Sequence, residues 1–237
     1  MSGEEPPKRR WKERPPKTGG GERQLATRVK NKKAKESSRK WIERQLNDPY
    51  VARARADGYR ARAAYKLIEL DEQFHVLKRG ARVIDLGAAP GGWAQVCVNR
   101  GCKVVGVDLL PIDPLEGAVF FQMDLTDPAT PPVLIEALGG PPDIVLSDMA
   151  ANTTGHRKTD QLRIVGLVES AAAFAGEVLN PGGVFLAKVF QSGADADLVA
   201  QLKRDFATVK HVKPAASRQD SSERYVLAIG FRGAREA

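Results

Sequence analysis

Cysteine is nearly absent from this 237-residue chain. The two present, Cys97 and Cys102, stand five positions apart. That spacing suits neither a CxxC redox motif nor a disulfide framework, so both read as idle thiols in a reducing compartment. Histidine is as sparse: His75, His156 and His211 are scattered without ligand spacing, and no metal is expected. No apolar run approaches the ~20 residues of a membrane span. The leading Met-Ser-Gly-Glu-Glu-Pro-Pro stretch lacks the apolar core of a secretory signal. These absences point away from membranes and export and toward the cytoplasm. No internal repeat is visible, which removes solenoids and propellers.

Charge is present but confined. The net charge is +8. Residues 1–48 hold fifteen Lys/Arg and seven Asp/Glu, which accounts for all of it and leaves the remainder neutral. The basicity is therefore an arm and not a property of the core. Residues 1–37 are rich in Lys, Arg, Pro and Gly, with Gly19-Gly20-Gly21 and two Pro-Pro pairs, so a disordered arm is expected there. A basic run around Trp11 suits a nucleic acid, through phosphate attraction and stacking. Residues 38–237 are expected to form the folded domain. With 42% hydrophobic residues the chain has enough for a sizeable core.

Two helical stretches, 36–56 and an amphipathic 60–77, precede a change of pattern. Short apolar runs then alternate with helical ones. Strands are expected at Val83–Leu86, Val104–Val107, Val119–Gln122, Ile144–Ser147 and Val184–Val189. Helices are expected at Trp93–Asn99, Leu134–Leu138, Leu162–Leu179 and Asp197–Phe206. Such alternation means parallel strands joined by crossovers, a doubly wound α/β sheet with helices on both faces. The last two strands, Thr208–Val212 and Tyr225–Ile229, have no helix between them and should form an antiparallel hairpin.

The strongest local signal is Val83-Ile-Asp-Leu-Gly-Ala-Ala-Pro-Gly-Gly-Trp93, a strand running into a glycine-rich turn that opens a helix. Gly87, Gly91 and Gly92 let the backbone approach a ligand, at the carboxyl end of a strand where open α/β sheets bind them. A dinucleotide site wants G-x-G-x-x-G; this turn runs G-x-x-x-G-G, which opposes a nicotinamide enzyme. It also begins at Asp85, a carboxylate that repels pyrophosphate and suits a cationic amino-acid head group. S-adenosylmethionine carries one beside a sulfonium. Asp108 ends the second strand, where an acid accepts ribose hydroxyls, and Asp124 follows the third, placed for an adenine amino group.

Asp148 closes the fourth strand, and Lys188 lies near the end of the fifth, inside an apolar run where a lysine is costly. Glu223 precedes the last strand. If that strand runs antiparallel beside the fifth, the three converge at one edge, and Lys66 on the preceding helix supplies a second ammonium. Asp148-Met-Ala-Ala-Asn152 lacks the Pro-Pro-aromatic run common in enzymes that methylate exocyclic amines, which points away from base methylation. Arg60, Arg62, Arg157 and Lys158 are candidates to line a groove for RNA phosphates.

The runs Asp85–Trp93, Ser147–Asn152, Ala187–Gln191 and Ser221–Tyr225 resemble the FtsJ/RrmJ family of bacterial large-subunit ribosomal RNA ribose methyltransferases, over about residues 38–232. The resemblance implies a Rossmann-like S-adenosylmethionine-dependent methyltransferase fold, a seven-stranded, mostly parallel sheet with an antiparallel last strand. It implies a tetrad of Lys66, Asp148, Lys188 and Glu223, with cofactor contacts at Gly91, Trp93, Asp108, Asp124 and Asp148, beside Asp85 and Gly87 read from the turn itself. It implies a uridine 2′-hydroxyl in the A-loop of 23S ribosomal RNA, within the large subunit, as acceptor; the enzyme is expected to act as a monomer. The sequence departs from the family at Ala151, where proline is common, and is more basic at His156-Arg157-Lys158. The chemistry is in-line attack by the 2′-oxygen on a methyl carbon, with Lys188 as candidate base and Asp148 and Glu223 orienting it. Desolvation and a second ammonium favour its neutral form, and the two acids its charged one. The rival expectations are a ribose methyltransferase of tRNA or another RNA, and an RNA-binding assembly factor without turnover.

Overall fold

The computed structural model describes residues 39, 42–43, 45–150, 157–190, 196–219 and 221–233, with side chains of the helix opening at Arg157 described from 162 onward. The expected arm, with Trp11, lies outside them. The chain divides into two units, Met1–Asn47 and Asp48–Ala237. In the first, the described residues are helical up to Leu46, and the Asn47 side chain donates to the Glu43 carbonyl at 2.6 Å. The stretch read as one helix over 36–56 is broken at Asp48. Its carboxylate accepts from the Tyr50 N–H at 3.0 Å and Pro49 follows, the side-chain cap and N1 proline that start a new helix.

In the second unit, helices α1 (Pro49–Ala56) and α2 (Ala64–Phe74) precede strand β1 (Arg82–Leu86). There follow α3 (Gly92–Asn99), β2 (Lys103–Asp108), β3 (Ala118–Gln122), α4 (Thr130–Leu138), β4 (Ile144–Ser147), α5 (Arg157–Val178), β5 (Val184–Phe190), α6 (Ala196–Asp205), β6 (Phe206–Val212) and β7 (Glu223–Phe231). The order across the sheet is β3-β2-β1-β4-β5-β7-β6. Strands β1 to β5 pair in parallel, and β7 inserts between β5 and β6, antiparallel to both. The expected doubly wound sheet with a closing hairpin is therefore present. Strand order reverses between β1 and β4, and crevices at the carboxyl ends of such strands bind ligands.

Each face of the sheet has its own apolar layer. Leu67 and Leu70 of α2 and Trp93, Ala94 and Cys97 of α3 cover Val83, Val104, Leu146 and Leu227. Leu134 of α4, Phe174 and Val178 of α5, and Leu198 and Leu202 of α6 cover Ile84, Val105, Val145 and Phe185. Helix α2 is shorter than the 60–77 expected. It stops because His75 turns left-handed, with φ 52°, and the Asp71 carboxylate takes the Leu77 N–H at 2.8 Å. Leu77 still packs in that layer, so its apolar signal was real although the chain there is not helical. Helix α5 begins at Arg157, earlier than the Leu162 expected. Its first turn is polar and carries no stripe to read, and Arg157 and Lys158 stand on it. Strand β6 begins at Phe206 instead of Thr208, because Phe206 pairs across to Phe231 with ring centroids 5.2 Å apart.

Candidate active site

Strand β1 delivers the chain to Gly87, whose φ of 73° disfavours any side chain. A Cβ there would also collide with Met149, so the turn and the segment after β4 approach at backbone distance. Gly91, with φ 101°, caps α3. Asp108 ties the end of β2 to this turn. One carboxylate oxygen accepts from the Ala89 N–H and the other from the Leu110 N–H, each at 2.9 Å. The turn after β1 is thereby held against the end of β2.

Asp85 lies one residue inside the end of β1, 1% exposed. Its Oδ2 is a buried oxygen without a hydrogen-bond partner among the described residues. Burial, then the nearby Asp148 and Asp108 carboxylates, pushes its pKa up to about 8. A buried acid with an open oxygen of this kind is what a cationic head group would satisfy. Asp124 is exposed beyond β3. Its Oδ1 accepts from the N–H and hydroxyl of Thr126, both at 2.8 Å, which hold its carboxyl below the ordinary value. Trp93 follows Gly92 in the first turn of α3. Its indole is buried between α2 and β7, donating to the Ala63 carbonyl at 2.8 Å with its ring 5.8 Å from that of Tyr225. Its side chain thus packs the wall between turn and tetrad.

The four tetrad residues, far apart in sequence, come together. Lys66 Nζ stands 2.8 Å from Glu223 Oε1 and 3.7 Å from Asp148 Oδ2. Lys188 Nζ stands 3.1 Å from Asp148 Oδ1 and donates to the Asp148 carbonyl at 2.5 Å. Both lysines are buried, 8% and 6% exposed. Burial alone would raise the Asp148 carboxyl. The ammonium groups of Lys188 and Lys66, with hydrogen bonds from Tyr225 and Lys188, outweigh that and hold it below the ordinary value.

Tyr225 is the member that sequence reasoning missed. Its hydroxyl donates to Asp148 Oδ1 at 2.6 Å, and the Lys66 ammonium lies 5.6 Å from its ring centre. Burial, then Asp148 and Glu223, holds its hydroxyl protonated far beyond neutral pH. The signal was available: Glu223 and Tyr225 are two apart on one strand, hence on one face. Tyr225 stands opposite Lys188 in the β5–β7 register.

Arg60 and Arg62, expected to meet RNA, hold protein groups in this structure. Arg60 donates to the carbonyls of Pro90, Asp113 and Pro114 at 3.3, 2.7 and 2.6 Å, stapling the turn to the loop after β2. Arg62 pairs with Asp48 at 2.6 Å and donates to the Ala216 carbonyl. Arg62 answers a buried carbonyl and a buried acid, and Arg60 three carbonyls of exposed loop residues, which a charge count cannot foresee. The side chains of Arg157 and Lys158, and residues 151–156 with Ala151, Asn152 and His156, lie outside the described residues. Among the described residues no grouping of His, Cys, Asp and Glu could hold a metal ion, and no helix is long and apolar enough to cross a membrane.

A model of the FtsJ-like methyltransferase family matches residues 59–231. The Ribosomal RNA large subunit methyltransferase E of Rhodopseudomonas palustris is 68% identical over 203 residues, 83% of this chain and 86% of that one. The protein of the same name from Bradyrhizobium diazoefficiens is 66% identical over 211 residues, 86% of this chain and 92% of that one. A Plasmodium falciparum crystal structure described as a ribosomal RNA methyltransferase superposes with TM-score 0.67 at 32% identity, covering 74% of this chain and all of that one. A hemolysin-like structure from Streptococcus thermophilus, at 16% identity and TM-score 0.56, shares the fold over 76% of this chain and 70% of its own.

Proposed function

The chain belongs to the FtsJ-like methyltransferase family, and from that premise we propose that it methylates a ribose 2′-hydroxyl of large-subunit ribosomal RNA, using S-adenosylmethionine. The acceptor in this reading is a uridine of the A-loop in 23S ribosomal RNA, met within the large subunit by a monomeric, cytoplasmic enzyme. One observation carries the reading: two buried lysines and two acids meet within ion-pair distance beside a glycine turn suited to a ligand.

The residues fit the cofactor. Asp85 offers a buried oxygen without a partner to a cationic amino acid, Asp108 stands at a strand end suited to a ribose, and Asp124 lies beyond β3 for an adenine. Gly87 and Gly91 admit close backbone approach, while Trp93 packs the wall of the crevice. When bound, S-adenosylmethionine supplies an electrophilic methyl group on a sulfonium.

The protein's part is to present and deprotonate the hydroxyl. With the cofactor bound, the neutral amine form of Lys188 would take the 2′-hydroxyl proton as the oxygen takes the methyl group and the neutral thioether leaves, so the bond formed is matched by the bond broken. Asp148 orients Lys188 through its carboxylate and its carbonyl. Tyr225 fixes Asp148, and Lys66 bridges Asp148 to Glu223. Packing of both lysines away from water strengthens each of these contacts.

A second reading rests on the same distances. An ammonium gripped by the Asp148 carboxylate and carbonyl is well placed to steer the hydroxyl and to stabilise its developing negative charge. The pH–rate profile separates the two. With Lys188 as base, the rate rises with pH, and Lys188→Met loses that dependence. A flat wild-type profile overturns the base and favours the ammonium.

The function itself is tested with labelled cofactor and large subunits from cells lacking the protein, followed by mapping of the label. A 2′-O-methyl on an A-loop uridine is the expected result. Label in tRNA alone would overturn the target, and cofactor binding without transfer to any RNA would overturn the enzyme in favour of an assembly factor.

A further inference from the structure

The loop between β6 and β7, which delivers Glu223 to the tetrad, is held from three sides. The Arg62 guanidinium donates to the Ala216 carbonyl, and Glu69 Oε2 accepts from the Ala216 N–H at 2.8 Å. Arg218 donates to Asp48 Oδ2 at 3.1 and 3.0 Å, the same oxygen that Arg62 reaches at 2.6 Å. Lys213 closes the loop on itself through the carbonyls of Gln219 and Ser221. Asp48 and Ala216 are buried, so the anchors made on them lie largely out of water, where such contacts are stiffest.

Ser217 stands between the two anchored residues, Ala216 and Arg218, and is 4% exposed. Its hydroxyl donates to Glu223 Oε1 at 2.8 Å. That is the oxygen paired with Lys66 Nζ at 2.8 Å. One donor comes from a rigid loop and the other from α2, and the two converge on a single carboxylate oxygen. A glutamate at the first position of a strand has freely rotating side-chain bonds, and a second fixed donor removes that freedom. Ser221 adds a further tie, its hydroxyl accepting the Glu223 N–H at 3.1 Å.

We propose that Ser217 is a positioning residue of the methyl-transfer centre, holding the Glu223 carboxylate in the orientation that grips Lys66. It acts through Glu223 and touches neither RNA nor cofactor. The Asp48–Arg62–Arg218 cluster sets the loop that carries it. This inference rests on the methyl-transfer reading of the site, and it adds a residue that the tetrad alone does not include.

The test compares Ser217→Ala, Ser217→Thr, Glu223→Gln and the double variant Ser217→Ala/Glu223→Gln on the RNA that wild type methylates. Loss of a hydrogen bond to a charged group predicts a kcat about tenfold lower in Ser217→Ala, with KM for RNA and for cofactor unchanged. Ser217→Thr, which keeps the hydroxyl, retains most of the rate. In the Glu223→Gln background the alanine change adds nothing further. Wild-type kcat in Ser217→Ala, an equal loss in Ser217→Thr, or an equal further loss beside Glu223→Gln overturns the proposal. If Ser217→Ala does not fold, Ser217→Cys keeps the volume with a weak donor. It is expected to lose less rate on the same pattern, and an unchanged kcat there overturns the proposal. A crystal structure of the alanine or cysteine variant reads the positioning without any activity. The Lys66–Glu223 separation is expected to lengthen beyond ion-pair range, and an unchanged pair overturns the proposal even if wild type proves inactive on every RNA, which would be a failure of the methyl-transfer reading.

Discussion

Replacing Asp85 by asparagine should stabilise the cofactor-free protein, and increasingly so as pH rises. The side chain is 1% exposed with one oxygen unpartnered. Its pKa stands at about 8 against an ordinary 3.8, through burial first and the Asp148 and Asp108 charges next. This is an acid whose folded value is raised, so its linkage runs opposite to that of a salt-bridged carboxylate. Below pH 3.8 both states hold the proton and the group is neutral to stability. Between 3.8 and about 8 the folded protein keeps a proton that the unfolded chain has lost, and stability falls by about 1.4 kcal/mol per pH unit. Above about 8 the penalty is constant, near 6 kcal/mol at full size. Asparagine removes the titration and nearly keeps the shape.

The gap in stability between Asp85→Asn and wild type should therefore widen by about 3 kcal/mol from pH 5 to pH 7. In a unit of this size that corresponds to roughly 6–12 °C in Tm. Thermal unfolding of both proteins across that range, without cofactor, measures it. The same variant should bind S-adenosylmethionine more weakly, and saturating cofactor should narrow the gap, since a cationic head group beside Asp85 favours its ionised form. Parallel Tm curves for the two proteins would refute the argument, because they would mean that Asp85 is ionised and satisfied in the fold.

Three further outcomes follow from contacts elsewhere. Gly106→Ala places a Cβ 2.7 Å from a Phe120 ring carbon and 2.8 Å from the Ala88 Cβ, so denaturant unfolding should show a loss of about 1–3 kcal/mol from overpacking; unchanged stability would mean the sheet yields there. Arg60→Ala frees the carbonyls of Pro90, Asp113 and Pro114, and calorimetry should find about tenfold weaker cofactor binding with little change in kcat at saturation; equal affinity would show that the staple does not shape the site. Asp48→Ala leaves the Arg62 and Arg218 guanidinium groups without their shared buried acid, a change expected to cost about 3–5 kcal/mol in equilibrium unfolding. A loss under about 1 kcal/mol would show the cluster is solvated.

Local pattern alone specified most of the scaffold. Runs such as Val83–Leu86 and Val184–Val189 are apolar over a strand's length because both faces of the sheet are covered. Their alternation with helices left one doubly wound arrangement. The glycine turn and the acids at successive strand ends were legible for the same reason, since each is defined by residues a few positions apart. The tetrad was legible through the family resemblance, and from the residues themselves only with the added premise that β7 runs antiparallel beside β5. Tertiary structure decided what depended on long-range register. It set Tyr225 opposite Lys188 and on Asp148, 77 residues away. It engaged Arg60 with a loop 54 residues on, and Arg62 with one 154 residues on, removing both from the count of free basic groups. It buried Asp85 with one oxygen unpartnered and fixed Ser217 on Glu223. A charge or hydroxyl shows its type in the sequence, but its partner is chosen only when strands and loops close around it, because hydrogen bonds act over ångströms in space and not over positions in the chain.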